Sequence, residues 1–214
     1  MGIHDPRGKL IKSRGYQKDT YGRQYDIYLS NFKVSAKYLA DRIGDKNKII
    51  AELCCSIGAT TLELAKKFKK VIAVDIDKKA LWSCELNLRK ENLTEKVELI
   101  RGDVEDDKLL KNIKADIVIY DIPYWVPKVL KTGEINMNKN PNLLNLIRKI
   151  RKYITKDIII FAPPITNYEK VRNQLGLCEF EQIYINGRYD RNYIYLGNLL
   201  REKGITLKNL YLES

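Results

Sequence analysis

Four carboxylates in this chain recur at one kind of place, the end of an apolar run. Glu52 closes Ile49-Ile-Ala-Glu52, Asp75 closes Val71-Ile-Ala-Val-Asp75, Asp103 follows residues 97–102, and Asp121 follows Asp116-Ile-Val-Ile-Tyr120. Between Glu52 and the helical pattern that begins at Ala59 lies a loop with Cys54, Ser56 and Gly58 at alternate positions. Asp121 opens a different kind of turn, Asp121-Ile-Pro123-Tyr124-Trp125. Each placement suits a particular task. Small side chains let a ligand approach the backbone of the first loop. An acid ending the second strand can accept both hydroxyls of a ribose. An acid after the third can accept from an adenine amino group.

A strand, a small-residue loop, a helix and a second strand ending in an acid form the grammar of a nucleotide-type cofactor site. The loop has one glycine where a pyrophosphate-binding Gly-x-Gly-x-x-Gly needs three, and no Gly-x-x-x-x-Gly-Lys-Ser/Thr is present. A cofactor without phosphates fits better. The residues point to S-adenosylmethionine, with Glu52, Cys54, Ser56, Gly58, Asp75 and Asp103 as its expected contacts.

Asp121, Pro123, Tyr124 and Trp125 read as a catalytic, base-recognising turn. Proline stiffens it, an aromatic face stacks on a planar heterocycle, and Asp121 accepts hydrogen bonds from an exocyclic amine. Such an amine is a poor nucleophile, and acceptors that hold it aimed at a methyl carbon restore its lone pair. That reaction needs positioning more than a strong base. The plainer reading makes Tyr124 and Trp125 loop anchors and Asp121 a turn cap.

The only histidine is His4, which rules out a Ser-His-Asp triad and argues against a histidine-ligated zinc site, so no metal is expected. Four cysteines without a CxxC pair fit reduced, buried thiols and a cytoplasmic protein. No apolar run nears the ~20 residues that span a bilayer, and the basic N-terminal stretch has no hydrophobic segment after it, so neither a membrane span nor a secretory signal is expected.

With 39 Lys and Arg against 27 Asp and Glu, the net charge is +12. That balance favours a polyanionic partner, RNA above all, whether ribosomal, transfer or another structured RNA. Genome bias or heat adaptation gives the same composition. Residues 1–30 form a basic, tyrosine-rich extension (Arg7, Lys9, Lys12, Arg14, Tyr16, Lys18, Tyr21, Arg23, Tyr25, Tyr28) preceding a domain over 31–214. Cations interleaved with aromatics suit RNA; a solvated arm that packs a tyrosine or two on the body fits equally.

The elements that must position these residues alternate. Strands are expected at 49–54, 71–75, 97–100, 116–120, 157–161, 178–185 and 191–197, and helices at 34–43, 60–68, 78–92, 106–112, 142–153 and 166–174, with a loop over 126–140. This is an α/β chain, with a Rossmann-like, mostly parallel seven-stranded sheet, an antiparallel C-terminal hairpin and helices on both faces.

The motifs resemble a class I S-adenosylmethionine-dependent methyltransferase, and within that class the trimethylguanosine synthase family of RNA cap guanine-N2 methyltransferases. Phe32-Lys-Val-Ser35 is similar to that family's Phe-Ser-Val-Thr-Pro, with Ala36 in place of proline. Glu52 to Thr61 resembles Asp-Ala-Phe-Cys-Gly-Val-Gly-Gly-Asn-Thr, and Val71 to Asp77 resembles Val-Ile-Ala-Ile-Asp-Ile-Asp. Gly102-Asp103 and Tyr195-Leu-Gly-Asn-Leu-Leu200 also match. The turn departs: the family has Ser-Pro-Pro-Trp, whereas Asp121-Ile-Pro-Tyr124 is nearer the Asp/Asn-Pro-Pro-Tyr of amino methyltransferases, and Trp125 stands one place late. The resemblance implies methylation of a base amine in RNA, most simply guanine N2, with Asp121 and Tyr124 holding the base and Trp125 and the arm binding nearby RNA. Adenine N6, a small heteroaromatic metabolite, and a non-catalytic RNA-binding subunit are the rival readings. A partner subunit that supplies specificity is compatible with each.

Overall fold

The computed structural model describes residue 15 and residues 20–121 and 143–212. Pro123, Tyr124, Trp125, the expected loop 126–140 and most of the basic extension lie outside the described residues.

The strands are β1 (Ile49–Leu53), β2 (Lys70–Asp75), β3 (Val97–Arg101), β4 (Ile117–Asp121), β5 (Ile158–Ala162), β6 (Glu179–Ile185), β7 (Arg188–Leu196) and β8 (Gly204–Leu210). They form one sheet in the order β3-β2-β1-β4-β5-β7-β6-β8. β1 pairs parallel with β2 and β4, and β3 and β5 extend the parallel set. β7 runs antiparallel to both β5 and β6. The expected seven strands and C-terminal hairpin are present, and among the described residues β8 corrects the count to eight. It adds parallel to β6 at the sheet's edge. Its Ile205 and Leu207 alternate as strand residues do but stay 55 % and 64 % exposed, so it carries little of the buried-strand pattern.

The period-2 alternation of the central strands sets the two faces. Ala51, Leu53, Val118, Tyr120, Ile158 and Ile160 enter one core cluster, while Ile50, Ile117, Ile119, Ile159 and Phe161 enter the other. Strands buried on both sides explain why these segments read as continuous apolar runs. Helices α2 (Lys33–Ile43), α3 (Ala59–Lys67) and α4 (Lys78–Lys90) bring Leu39, Leu64 and Leu88 to the second cluster. Helices α5 (Asp107–Asn112), α6 (Leu143–Tyr153) and α7 (Tyr168–Leu175) bring Leu110, Leu146, Ile150 and Val171 to the first.

Helix ends follow local chemistry. The Asp77 and Asp106 side chains accept from the N–H groups of Lys79 and Lys108, both at 2.8 Å, and start α4 and α5. Asn92, at φ +56°, turns the chain out of the α4 end, which closes two residues before the expected boundary. A short helix not expected from the sequence, α1 (Gln24–Leu29), buries Ile27 against the body. Among the described residues no helix is long and apolar enough to cross a membrane.

Candidate active site

Reading the strand order outward from β1, the chain goes to β2 and β3 on one side and to β4 and β5 on the other. The crevice above the carboxyl ends of β1 and β4 is therefore the topological switch point, where open α/β sheets bind ligands. The sequence-expected carboxylates gather there. Glu52 and Asp121 lie at or near the ends of the two switch strands, Asp75 ends β2 and Asp103 follows β3.

The loop after β1 is held in a conformation that L residues rarely adopt. Cys54, Ser56 and Gly58 have φ of +65°, +50° and +81°. Ser56 N–H donates to Asp75 Oδ2 at 2.8 Å, and Asp77 N–H donates to Asp75 Oδ1 at 2.9 Å, so one carboxylate ties the first loop to the turn after β2. Gly58 starts α3 against α4. A Cβ there would sit 2.4 Å from Cys84 Sγ, which fixes glycine by contact as well as by φ.

Electrostatics distinguish the four acids. Glu52 is buried, accepts from Thr61 Oγ1 at 2.6 Å and has its carboxyl pushed up to about 8 by burial, against the Thr61 bond, with Asp121 and Asp75 adding repulsion. Burial also raises Asp75, against the pull of its backbone amides. Asp121 rises to about 6, chiefly by desolvation; Arg191 pulls it down while Asp190 and Asp75 push it up. Asp103 is exposed and accepts from Glu105 N–H at 2.8 Å. Burial drives the Cys54 thiol up, and the charges of Asp75, Asp121, Asp103 and Glu52 drive it further. All four carboxylates thus converge on the loop that carries Cys54. Negative charge from the three aspartates over strained, small-residue backbone, with Glu52 holding its proton below about pH 8, suits a cationic ligand, and the sulfonium and ammonium of S-adenosylmethionine are such charges.

Three contributors were not singled out from the sequence. Asn87 of α4 accepts from Tyr21 N–H at 2.7 Å, and its Nδ2 donates to the carbonyls of Tyr21 (2.9 Å) and Ile57 (3.0 Å). With Arg23 bridging Asp26 and Asp77, these bonds tie residues 21–26 to the loop after β1 and the turn after β2, while Tyr21 and Tyr25 stay exposed. Ile76, 62 % exposed beside Asp75, presents an apolar surface at the carboxyl edge of the sheet. Arg191 of β7 is buried, pairs with Asp190 at 2.7 Å and lies over the Phe161 ring. A polar residue at a core-facing helical position marks Asn87 in the sequence, and Ile76 is marked by following the acid that ends β2; Arg191 depends on long-range pairing that leaves no local mark.

The sequence profile of the RNA cap guanine-N2 methyltransferase family matches residues 47–199. The chain belongs to that family. The segment holds every candidate site residue, from Glu52 to Trp125. Ribosomal RNA small subunit methyltransferase A of Mesoplasma florum is 27 % identical over 172 residues, covering 76 % of this chain and 59 % of that protein. The chain spans 38–39 % of the length of two other curated relatives it matches. Among solved structures, a candidate methyltransferase of Porphyromonas gingivalis W83 superposes with a TM-score of 0.71 at 15 % identity, over 92 % of this chain and 50 % of that one. Magnesium protoporphyrin IX methyltransferase of Synechocystis PCC 6803, with bound S-adenosylmethionine, superposes with a TM-score of 0.58 at 13 % identity, over 92 % and 99 %. The domain is a class I methyltransferase domain, and S-adenosylmethionine is the cofactor its site fits.

Proposed function

We propose that this methyltransferase transfers the methyl group of S-adenosylmethionine to an exocyclic amine of a base in RNA, most simply N2 of guanine. The observation that carries the reading is the position and charge of Asp121. It ends the strand beside β1, next to the cofactor loop, in a desolvated setting that leaves its carboxyl near pH 6. At neutral pH it is an ionised acceptor for an amine N–H. After transfer it is basic enough to take the proton that the new cationic amine must lose.

Bound S-adenosylmethionine supplies an electrophilic methyl carbon and a neutral thioether leaving group. Asp75 is the expected ribose acceptor, its oxygens already aimed by the Ser56 and Asp77 amides. Asp103 is the expected adenine acceptor. The αL loop of Cys54, Ser56 and Gly58 accommodates the amino-acid portion, and buried Glu52 braces that loop through Thr61. Pro123, Tyr124 and Trp125 follow Asp121 in the chain and are proposed to frame the base. No imidazole is required, in keeping with a sequence whose only histidine is His4.

A net charge of +12 and the family's own substrate support RNA as the acceptor. Adenine N6 is the second reading, favoured by the turn Asp121-Ile-Pro-Tyr124, which is nearer the turns of amino methyltransferases on ordinary bases than Ser-Pro-Pro-Trp. The test is incubation with tritium-labelled S-adenosylmethionine and total RNA from cells lacking the protein, followed by nucleoside chromatography. Label in N2-methylguanosine is the expected result. Label in N6-methyladenosine would replace the base and keep the mechanism. A protein that binds the cofactor and labels no RNA would redirect the search to small heteroaromatic metabolites or to a non-catalytic role.

A further inference from the structure

The three C-terminal strands overshoot the sheet at the edge that carries Asp121. Ala162, the last residue of β5, pairs with Asn192, but β7 begins four residues earlier, at Arg188. β6 and β8 run on with it to Ile185 and Leu210. Gln182 of β6 stands opposite Asn192, so the three residues of β6 beyond it carry the hairpin about 10 Å past β5 at ~3.3 Å per residue, the bulge taking up the fourth residue of β7.

Its tip is locked in place. Asn186 and Gly187 have φ of +49° and +76°, the paired left-handed values of a two-residue turn whose twist matches its strands. β8 clamps that turn. Asn186 N–H donates to the Leu210 carbonyl at 2.9 Å, Gly187 N–H to Asn209 Oδ1 at 3.1 Å, and Leu212 N–H to Asn186 Oδ1 at 3.1 Å. The eighth strand therefore rigidifies a projection that a seven-stranded sheet would leave unsupported.

A register shift re-aims the side chains behind the tip. Ile183 faces Arg191 and Tyr184 faces Tyr189, which leaves Asp190 unmatched in the ladder. Bulges of this kind redirect side chains near active sites. Tyr184 and Tyr189 stack with ring centroids 5.0 Å apart and planes within 13°. Both rings are half-buried, Arg188 beside them is exposed, and Asp190, the acid nearest the tip, is paired with Arg191. Tyr189 OH donates to Asn192 Oδ1, and Asn192 Nδ2 donates to the Pro163 carbonyl at 2.7 Å, so the pair is tied to the end of β5.

We propose that this hairpin is a stacking platform for single-stranded RNA, receiving a nucleotide next to the base held at Asp121. The inference rests on the RNA reading above. A base whose exocyclic amine meets a methyl donor must leave its stack, and its neighbours then expose π faces. A rigid tyrosine pair takes such a face at little entropic cost, and Arg188 neutralises an adjoining phosphate.

The test is fluorescence anisotropy of a labelled single strand of about 15 nucleotides, alongside the same sequence in a duplex, with S-adenosylhomocysteine present. Wild-type protein is expected to prefer the single strand. Tyr189→Ala and Tyr184→Ala should each weaken it about tenfold. Tyr184→Leu combined with Tyr189→Leu keeps apolar bulk and removes the rings; it should lose at least that affinity while the protein stays folded, its Tm lowered only by the Tyr189–Asn192 hydrogen bond it gives up. Arg188→Ala, on an exposed turn, should reduce the slope of log Kd against log salt by about one. Wild-type binding that the double leucine variant retains within twofold would overturn the platform and leave the RNA reading standing. A wild-type protein that neither binds the strand nor labels total RNA would overturn both.

Discussion

Asp75 and Asp121 end the strands on either side of β1, and the half-sites they anchor are built in opposite ways. Asp75 has an oxygen on each of two backbone amides, and those bonds join the loop after β1 to the turn after β2. Asp121 sits among charges: Arg191 draws its carboxyl down, while Asp190 and Asp75 push it up. The cofactor half is shaped by local backbone, with αL residues, a glycine and an N-cap within thirty residues of one another. The acceptor half is assembled from β4, β5 and β7, which are far apart in the chain. On the proposed reading the fixed carboxylate holds the cofactor, and the one poised near pH 6 takes up the proton.

The sharpest way to break this comparison is to delete each carboxylate and measure both steps. Asp121→Ala is expected to lower the transfer rate by about 10²–10⁴ with the cofactor Kd within threefold of wild type. Asp75→Ala should raise the cofactor Kd by at least tenfold, the loss of a hydrogen-bonded charge together with the loop it ties. Calorimetric titration with S-adenosylhomocysteine and single-turnover transfer measure the two. Equal loss of cofactor binding in both variants would erase the division between the halves.

Gly58 tests how far the cofactor half depends on its backbone. Gly58→Ala places a methyl group into Cys84 Sγ and keeps a left-handed φ that an L residue resists. The combined cost is about 2–4 kcal/mol. Adding Cys84→Ala relieves the contact and leaves the φ cost, so chemical denaturation should show the double variant more stable than the sum of the two single changes predicts. Strict additivity would mean that the contact is not what forbids the side chain.

Legibility from sequence divided along the same line. The strand-loop-helix-strand run from Ile49 to Asp77 was readable because its elements are local and buried on both faces, so Val71 to Val74 and Ile49 to Leu53 could hardly be anything but strands. The placing of Glu52, Asp75, Asp103 and Asp121 at one sheet edge followed from the parallel order alone. Arg191 was not readable, since its meaning depends on β7 lying antiparallel beside β5 and on a bulge that pairs it with Ile183. β8 was missed because its Ile205 and Leu207 are exposed and bury nothing that would mark them. Asn87 ties Tyr21 to Ile57 across gaps of 66 and 30 residues, a link no local pattern announces.

Arg191 tests the acceptor half by pH. In the proposed mechanism the Asp121 carboxylate is the active form, so the transfer rate should fall as pH drops through about 6. Arg191→Met removes the charge that opposes desolvation and should move that limb upward by about one unit, while the cofactor Kd holds. Arg191→Lys should return the limb part of the way. A limb that stays in place in the Met variant, with reduced rate at every pH, would make Arg191 a packing residue only.

The smallest effect concerns Glu52, the acid that both halves repel. Its folded carboxyl titrates near 8, whereas the unfolded group titrates near 4.5. Between those values the folded state holds a proton that the unfolded state has released, so stability falls as pH rises through that window. Glu52→Gln keeps an acceptor for Thr61 Oγ1 and cannot ionise. The variant should lose less Tm than wild type between pH 5 and pH 8, by roughly 2–4 °C for each ~1 kcal/mol of titration removed. Cofactor binding sharpens the point, because a bound cation favours ionised Glu52. Wild type should therefore release more protons on binding at pH 7 than Glu52→Gln, measured as a buffer-dependent enthalpy. Identical proton release would mean that Glu52 stays protonated beside the cofactor and acts only as a brace for the loop.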